Sequence, residues 1–216
     1  MYYVTSDIHG NYEAYQSIMR QIKLSDDDHL YVLGDCIDRY PDGLRILFEL
    51  CNMSNVTVFM GNHEYMMKEV LNGAIPGAWF GNGGKVTYES YKSLNRDDKE
   101  SLKHILATLP VDKVVEVNGV KYMLCHSHPL GKSKNLAFVD PVEAAVWKRV
   151  DMYSHPAPEY HLIFGHTPTD HYQSEYPLKI WRGEGMTGID CRAYSPMYGG
   201  RLACLRLDDM TEFYSE

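Results

Sequence analysis

The sequence predicts an α/β fold whose second half is mainly β. Short apolar runs alternate with helical periodicity over residues 2–60, and from residue 114 onward the pattern changes to strands separated by turns. In addition, side chains able to bind metal ions follow five of the apolar runs. Because loops at the carboxyl ends of neighbouring strands meet in one crevice of an open α/β sheet, we expect these side chains to form one site.

Composition limits the class of protein. The chain has 216 residues, of which 44% are hydrophobic and 23% charged, which predicts a single soluble domain over residues 1–216. No signal peptide is predicted, and no apolar run approaches the roughly 18 residues of a membrane span, so no membrane association is expected. Five cysteines without a C-x-x-C pair favour free thiols and a cytoplasmic location. A net charge of −8 argues against stable nucleic-acid binding.

The opening third is predicted to be β-α-β-α-β. Residues 2–4, 30–33 and 56–60 are short runs rich in β-branched and aromatic side chains, bounded by polar residues, which is typical of buried strands. Between them, apolar residues recur at helical spacing after Asn11, a good N-cap, and after Asp42, a candidate N-cap for the second helix.

The middle of the chain is predicted to contain two helical stretches within residues 64–109. One is centred on residues 66–71 and the other on residues 102–109, where apolar side chains again recur at helical spacing. Residues 79–84, with the sequence Trp-Phe-Gly-Asn-Gly-Gly, are too rich in glycine for a helix. We interpret them as a loop that forms the wall of a cavity.

The second half is predicted to be a set of strands with one short helix. Asn118-Gly119 is a strong signal for a type I′ hairpin turn. Asp140 followed by Pro141 is typical of a helix start, and this helix is expected to continue through Trp147. The predicted strands are residues 114–117, 120–124, 162–164, 188–190, 202–207 and 212–214.

Five blocks of metal-binding residue types stand at or near the ends of predicted strands. Taken singly, each block is also typical of a solvated turn, a helix cap or a buried histidine. Together they can build a two-metal hydrolytic site. The blocks are Asp7-Ile8-His9-Gly10, Gly34-Asp35-Cys36-Ile37-Asp38-Arg39, Gly61-Asn62-His63-Glu64, Cys125-His126 and Gly165-His166-Thr167-Pro168.

The residue types in these blocks fit metal and phosphate chemistry. Asp7 and His9 are two apart at a strand end, where alternation would place both side chains on one face of the sheet. The two carboxylate oxygens of Asp35 can bridge two metal ions. A mixed oxygen and nitrogen set that includes Asn62 suits manganese, iron or zinc better than copper. Arg39 can hold a phosphate in a bidentate fork.

In this order, the motifs Asp-x-His-Gly, Gly-Asp-x-x-Asp-Arg, Gly-Asn-His-Glu, a strand-end His and Gly-His-Thr-Pro resemble the calcineurin-like metallophosphoesterases of the phosphoprotein phosphatase family. The resemblance implies two packed mixed β-sheets flanked by helices, with a dinuclear metal site at the strand ends. Further matches resemble the short bacterial and phage branch, which holds lambda-type protein phosphatases and symmetrical diadenosine tetraphosphate hydrolases. They are Trp79 with Asn82-Gly83-Gly84, Trp147-Lys148-Arg149, and Ile189-Asp190 followed by Tyr198-Gly199-Gly200-Arg201-Leu202.

The resemblance also implies roles for ten residues and a cofactor of two divalent metal ions, manganese first, with iron, zinc or nickel as alternatives. It implies in-line attack on phosphorus by a metal-bridging hydroxide, without a phosphoenzyme. One metal would be bound by Asp7, His9 and Asp35, and the other by Asp35, Asn62, His126 and His166. His63 matches the proton donor and Asp38 the carboxylate that orients it. Substrate would be bound by Arg39, Arg149, Asn62 and His63.

Two segments depart from the pattern of this family. Ser127-His128-Pro129 follows the strand-end histidine, where a small residue and then Gly or Asp is common. We interpret His128 as a turn residue, the alternative being an extra imidazole near the metals. Residues 191–197 replace a short Thr-Gly-Ala stretch, so Arg192 and Tyr194 belong either to the rim of the cleft or to an exposed polar loop.

The leading interpretation is a metal-dependent phosphatase acting on phosphoserine or phosphothreonine in proteins. The alternative is a symmetrical bis(5′-nucleosyl)-tetraphosphatase that hydrolyses diadenosine tetraphosphate, so the partner is a phosphoprotein or a phosphorylated small molecule. A non-catalytic phosphate-binding protein of the same fold is a third hypothesis. It is disfavoured because all the ligand positions, and His63 as well, are filled with residues that the chemistry requires.

Overall fold

The computed structural model describes residues 1–133, 140–153 and 159–216. These residues form ten strands and eight α-helices. The strands are β1 (Tyr2–Thr5), β2 (His29–Val32), β3 (Val56–Val58), β4 (Asp112–Val117), β5 (Val120–Cys125), β6 (His161–Phe164), β7 (Trp181–Gly183), β8 (Met186–Gly188), β9 (Ala203–Arg206) and β10 (Glu212–Tyr214). The helices are α1 (Tyr12–Ile22), α2 (Gly43–Cys51), α3 (Asn62–Leu71), α4 (Gly77–Gly81), α5 (Lys85–Ser93), α6 (Arg96–Thr108), α7 (Leu130–Ser133) and α8 (Pro141–Trp147).

The strands form two mixed sheets. The first has the order β10-β9-β1-β2-β3, in which β1, β2 and β3 are parallel and β9 and β10 are antiparallel to their neighbours. The second has the order β4-β5-β6-β8-β7, in which β5, β6 and β8 are parallel and the edge strands β4 and β7 are antiparallel. The predicted α/β class with two mixed sheets and flanking helices is therefore confirmed.

The two sheets share an apolar layer. Val4 and Tyr31 of the first sheet lie in one buried cluster with Leu124 and Ile163 of the second. The neighbouring residue Tyr3 belongs instead to the cluster that contains the buried faces of α1, α2 and α6. Successive residues of β1 are thus buried on opposite faces, as expected for a strand between a sheet and helices. In the described ranges, no helix is long and apolar enough to cross a membrane.

Local signals in the sequence account for several element boundaries. Asn11 caps α1 by accepting a hydrogen bond from the Ala14 N–H at 3.1 Å. Between β4 and β5, Asn118 and Gly119 have φ values of 52° and 79°, the signs that a type I′ turn requires. Asp140 caps α8 through the Val142 N–H at 2.8 Å. These three predictions are confirmed.

The prediction that residues 79–84 form a loop is wrong for the first half of the segment. Trp79 to Gly81 are the last turn of α4. The Trp79 side chain is buried, and its indole N–H donates to Asp38 Oδ2 at 2.7 Å. Burial of a tryptophan with its polar N–H satisfied outweighs the roughly 1 kcal/mol that a helical glycine costs. The turn that follows does form part of a cleft wall through Asn82.

Other corrections concern boundaries. Asp42 makes no side-chain hydrogen bond to α2, and its carboxylate lies 3.8 Å from the Arg45 guanidinium instead. Four helices, α3 to α6, stand where two stretches are predicted. The strand predicted at residues 188–190 is β8, which begins earlier because it pairs with β7. Sequence analysis did not predict β7. With three residues, β7 is too short to show an alternating pattern.

Candidate active site

The turns that follow β1, β2, β3 and β6 meet in one cleft of about 190 Å³. Because β1, β2 and β3 are parallel, as are β5 and β6, their carboxyl ends come together. Two predicted site residues do not line the cleft but contact residues that do: His126, directly after β5, lies against Asp35, and Asp38 lies against His63. His128 does not line the cleft. Eight of the ten predicted site residues line the cleft: Asp7, His9, Asp35, Arg39, Asn62, His63, Arg149 and His166.

Asp7 and His9 do not reach the cleft by strand alternation, so the reason given for their common direction is wrong. Strand β1 ends at Thr5, and both residues adopt left-handed backbone conformations with φ of 57° and 51°. A non-glycine residue in this region costs of order 1 kcal/mol. Backbone bonds hold the turn, for example from the His9 N–H to Asp35 O at 2.8 Å. The same region is occupied by Asp35, Asp38, Arg39 and His166.

Three histidines present an unprotonated ring nitrogen to the cluster. In each, one ring nitrogen faces a backbone carbonyl, which only accepts, so that nitrogen carries the proton and the other carries a lone pair. Burial lowers the pKa of all three, and for His166 burial and the adjacent His126 lower it to about 3. The carbonyl contacts are His9 Nδ1 to Ile37 O at 3.1 Å, His126 Nδ1 to Leu33 O at 2.7 Å and His166 Nε2 to Trp147 O at 3.2 Å.

His63 has the opposite protonation preference. Its Nδ1 lies 2.6 Å from Asp38 Oδ2, the oxygen that also accepts the Trp79 N–H. Burial alone would lower the pKa of His63, but the carboxylates of Asp35 and Asp38 outweigh it and raise the pKa above its ordinary value. Among these four imidazoles, the pKa is therefore lowered in His9, His126 and His166 and raised in His63. Neighbouring groups whose pKa values are shifted in opposite directions can take different chemical roles.

Asp35 stands between two groups of donors. Its Oδ2 lies 3.6 Å from His9 Nε2, and its Oδ1 lies 3.5 Å from His126 Nε2. Burial opposes ionisation of Asp35, whereas protonation of the surrounding histidines, His126 first, would lower its pKa. Asn62 Oδ1 lies 2.9 Å from both His126 Nε2 and His166 Nδ1. The carboxylate of Asp35 thus has one oxygen toward each group.

The side chains around Asp35 present more lone pairs than they have protons to share in hydrogen bonds. In either orientation of the Asn62 amide, the lone pairs of His9 and His126 face the Asp35 carboxylate with no donor between them. Burial and the charges of Asp190 and Asp35 raise the pKa of Asp7, and burial raises the pKa of Asp190 to about 6. Cations on both sides of Asp35 would remove these conflicts. The donor set therefore fits two divalent metal ions.

Glu64 holds two of the turns together and was given no role by sequence analysis. The side chain is fully buried. Its Oε2 accepts the N–H groups of Asp35 and Gly61 at 2.8 and 3.1 Å, and its Oε1 accepts those of Cys36 and Ile37 at 2.8 and 3.3 Å. Burial and the charge of Asp35 raise its pKa to about 7. In the sequence, a glutamate three residues after the α3 N-cap predicts the bond from the Gly61 N–H. It does not predict the bonds from residues 35–37.

Residues 191–197 contribute to the rim of the cleft. The Tyr194 ring packs edge-on to His9, with 5.2 Å between centroids. The Arg39 guanidinium lies 3.7 Å above the same ring, at cation–π distance. Arg192 also lines the cleft. The cleft-rim alternative for this segment is therefore confirmed for Arg192 and Tyr194.

Comparisons with known proteins agree with this geometry. Residues 2–195 match the sequence profile of the calcineurin-like phosphoesterases. The chain is 28% identical over 185 residues to serine/threonine-protein phosphatase 2 of Escherichia coli (strain K12), covering 80% of this chain and 82% of that protein. A shorter match, 34% identical over 64 residues, is to the symmetrical bis(5′-nucleosyl)-tetraphosphatase of Buchnera aphidicola and covers 29% of this chain and 23% of that protein.

The fold has solved counterparts as well. The crystal structure of a metallophosphoesterase from Sphaerobacter thermophilus superimposes with a TM-score of 0.63 at 16% identity, covering 100% of this chain and 88% of that one. At this identity the likeness concerns the fold alone. The profile match extends over most of the chain and includes all ten predicted site residues. With the two mixed sheets and the metal-fitting cleft, it establishes that this chain belongs to the calcineurin-like phosphoesterase family.

Proposed function

We propose that this protein is a phosphatase that hydrolyses phosphomonoesters with the help of two divalent metal ions, and that its substrates are phosphoserine and phosphothreonine residues of proteins. The observation that carries the proposal is that a shared carboxylate with histidines on both sides of it adjoins two arginines at one cleft. This combination provides sites for cations and for a phosphate side by side.

The metal ligands we propose are those on the two sides of Asp35. Asp7, His9 and Asp35 would hold one ion, and Asp35, Asn62, His126 and His166 the other. When bound, the ions would lower the pKa of water and offset the negative charge on the phosphate. The mixed oxygen and nitrogen donors suit manganese, with iron, zinc and nickel as alternatives.

Arg39 and Arg149 are the proposed phosphate-binding residues. Both line the cleft and both are exposed at its mouth. A guanidinium presents a planar fork that pairs with two phosphate oxygens. Two such groups, with the Asn62 amide beside them, would fix the phosphoryl group against the metal cluster and align it for attack.

His63 is the proposed proton donor. Its Nδ1–H donates to Asp38, which leaves Nε2 as the second proton-bearing nitrogen of the imidazolium. His63 Nε2 lies 3.8 Å from Asp35 Oδ2, so it is next to the proposed reaction centre. As the bond between phosphorus and the leaving oxygen breaks, transfer of this proton to that oxygen would release the dephosphorylated side chain as a neutral alcohol. Asp38 acts here as a positioning residue through its bond to the imidazole.

The protein substrate is supported by the relative that matches over most of the chain, a serine/threonine-protein phosphatase. The second candidate function is symmetrical hydrolysis of diadenosine tetraphosphate. It is supported by the higher identity, 34%, of a shorter segment to a symmetrical tetraphosphatase. The two candidates share the metal cluster and differ in what adjoins the reacting phosphate, so the cleft rim is where they should be separated.

The test is a comparison of kcat/KM on metal-stripped protein resupplied with manganese. The substrates are peptides carrying phosphoserine, phosphothreonine or phosphotyrosine and, separately, diadenosine tetraphosphate. Preference for the first two peptides supports the proposal, whereas efficient cleavage to two nucleoside diphosphates favours the second candidate. Inactivity on all of them would contradict both. Asp35→Asn and His63→Asn should abolish most turnover, and His104→Asn, on the exposed face of α6, should not.

A further inference from the structure

An ion pair stands at the rim of the cleft, and neither of its partners is one of the proposed metal ligands. Arg192 Nε lies 3.2 Å from Asp170 Oδ1, and Arg192 Nη2 lies 3.0 Å from Asp170 Oδ2. This is a bidentate arrangement along one edge of the guanidinium. The two side chains are 31% and 30% exposed. Arg192 lines the cleft together with Arg39 and Arg149, so one of these three arginines has its charge offset by a carboxylate.

The backbone holds both partners in place. Arg192 has a left-handed φ of 58°, and its N–H donates to Asp190 Oδ1 at 2.9 Å. A Cβ on Gly200 would overlap the Arg192 carbonyl oxygen, so only glycine permits this close approach. Asp170 lies in a short 3-10 turn whose first N–H, that of Thr169, donates to Asp190 O at 2.9 Å. Both sides of the pair are therefore anchored to Asp190.

We propose that the Asp170–Arg192 pair selects substrates that carry a single phosphate over substrates with adjoining phosphates. The inference rests on the proposed function, since it concerns what flanks the phosphate bound by Arg39 and Arg149. A second phosphate beside the first needs additional positive charge. Arg192 is placed to provide it, but its Nε–Nη2 edge is occupied and its charge is offset. A peptide flank, which lacks the second phosphate, loses nothing from this pairing.

The test uses two non-hydrolysable probes, methylphosphonate with one phosphoryl group and methylenediphosphonate with two. Their dissociation constants are measured by calorimetry at a fixed manganese concentration, and the ratio of the two is compared between variants. Chelation of manganese by the diphosphonate is the same for every variant and cancels in this comparison. The variants are Asp170→Asn, Arg192→Gln, the double variant, and Glu175→Gln.

Asp170→Asn should shift the ratio toward the diphosphonate by roughly 3- to 10-fold, because it frees the guanidinium edge and adds net positive charge at the rim. Arg192→Gln should shift it the other way. The double variant should return to the wild-type ratio, since the net charge is restored and no arginine remains to be freed. Glu175→Gln removes an exposed carboxylate that lines a different cleft and should change nothing.

Two results would overturn the inference. One is an unchanged ratio in Asp170→Asn. The other is a double variant as poor toward the diphosphonate as Arg192→Gln, because Arg192 would then itself be a ligand that Asp170 merely holds. Melting curves of each variant verify folding, and the ratio is measured without turnover. An inactive wild-type enzyme with the expected ratios would therefore contradict the proposed function alone, and an active enzyme with unchanged ratios would contradict this inference alone.

Discussion

Replacing Gly61 with alanine tests the position of Asp35 without removing a functional group. Gly61 has φ of −96° and ψ of 172°, which alanine adopts freely, so the effect is steric. The added Cβ would overlap Asp35 Oδ1 and would lie 2.5 Å from the Asp35 nitrogen and 2.7 Å from Glu64 Oε2. Carbon atoms in ordinary contact are about 3.5 Å from their neighbours, so these groups must retreat by about 1 Å.

A shift of this size has a large expected effect on turnover. A misplacement of about 1 Å in a group that aligns a reaction lowers the rate roughly 100-fold. Overfilling a site that is already filled also lowers the free energy of unfolding by about 1 to 3 kcal/mol. We therefore expect kcat/KM for p-nitrophenyl phosphate with manganese to fall by about two orders of magnitude, together with a weaker affinity for manganese and a lower melting temperature.

The matched control is Gly77→Ala in α4. Apart from its chain neighbours and the backbone of its own helix, no atom lies within 4 Å of the Cβ that this change would add. Alanine in place of a helical glycine should raise the free energy of unfolding by up to about 1 kcal/mol and leave turnover unchanged. If Gly61→Ala retained wild-type kcat/KM and manganese affinity, Asp35 would not be at the reaction centre, and the reasoning from the close approach of the two turns would be refuted.

Three further variants test the groups around the cluster. Asp38→Asn removes a carboxylate that raises the pKa of His63. Because the protonated donor is lost as pH rises through this pKa, the alkaline limb of the kcat profile should move to lower pH by about 1 unit or more. An unmoved limb would count against His63 as the donor. Trp79→Phe keeps most of the buried ring but removes the N–H that donates to Asp38, and kcat should fall roughly 10-fold; a fall in stability without a fall in kcat would contradict the positioning role of Asp38. Tyr194→Leu removes the ring under Arg39 and should raise KM about 3-fold. Tyr194→Phe keeps the ring and should keep the wild-type KM. Equal KM values for the two variants would exclude a contribution of the Arg39–Tyr194 cation–π contact to substrate binding.

The strands and most helices were predictable because their signals are local. β1, β2 and β3 coincide with runs of β-branched and aromatic residues, and α1 begins at its Asn cap. Parallel strands with polar residues at their carboxyl ends were enough to predict that Asp7 and His166, 159 positions apart, would meet. The structure joins them through a bond from the His166 N–H to Asp7 Oδ2 at 3.0 Å.

What the sequence could not provide are contacts that depend on the final three-dimensional arrangement. The left-handed turn at Asp7 could not be predicted from the local sequence, because aspartate adopts that region only occasionally and the turn is held here by a long-range bond from the Asp7 N–H to Gly34 O at 3.1 Å. The bonds of Glu64 to the turn after β2 and of Trp79 to Asp38 join residues 27 to 41 positions apart. The Asp170–Arg192 pair likewise depends on two segments being anchored to the same residue, Asp190.

The central claim, that Asp35 stands between two divalent metal ions, is tested most directly by anomalous diffraction from crystals of the protein soaked in manganese. We predict two anomalous peaks in the cleft, one adjoining His9 and the other adjoining His126 and His166, with the Asp35 carboxylate contacting both. No peak in the cleft, or a single peak that Asp35 does not contact, would contradict the claim.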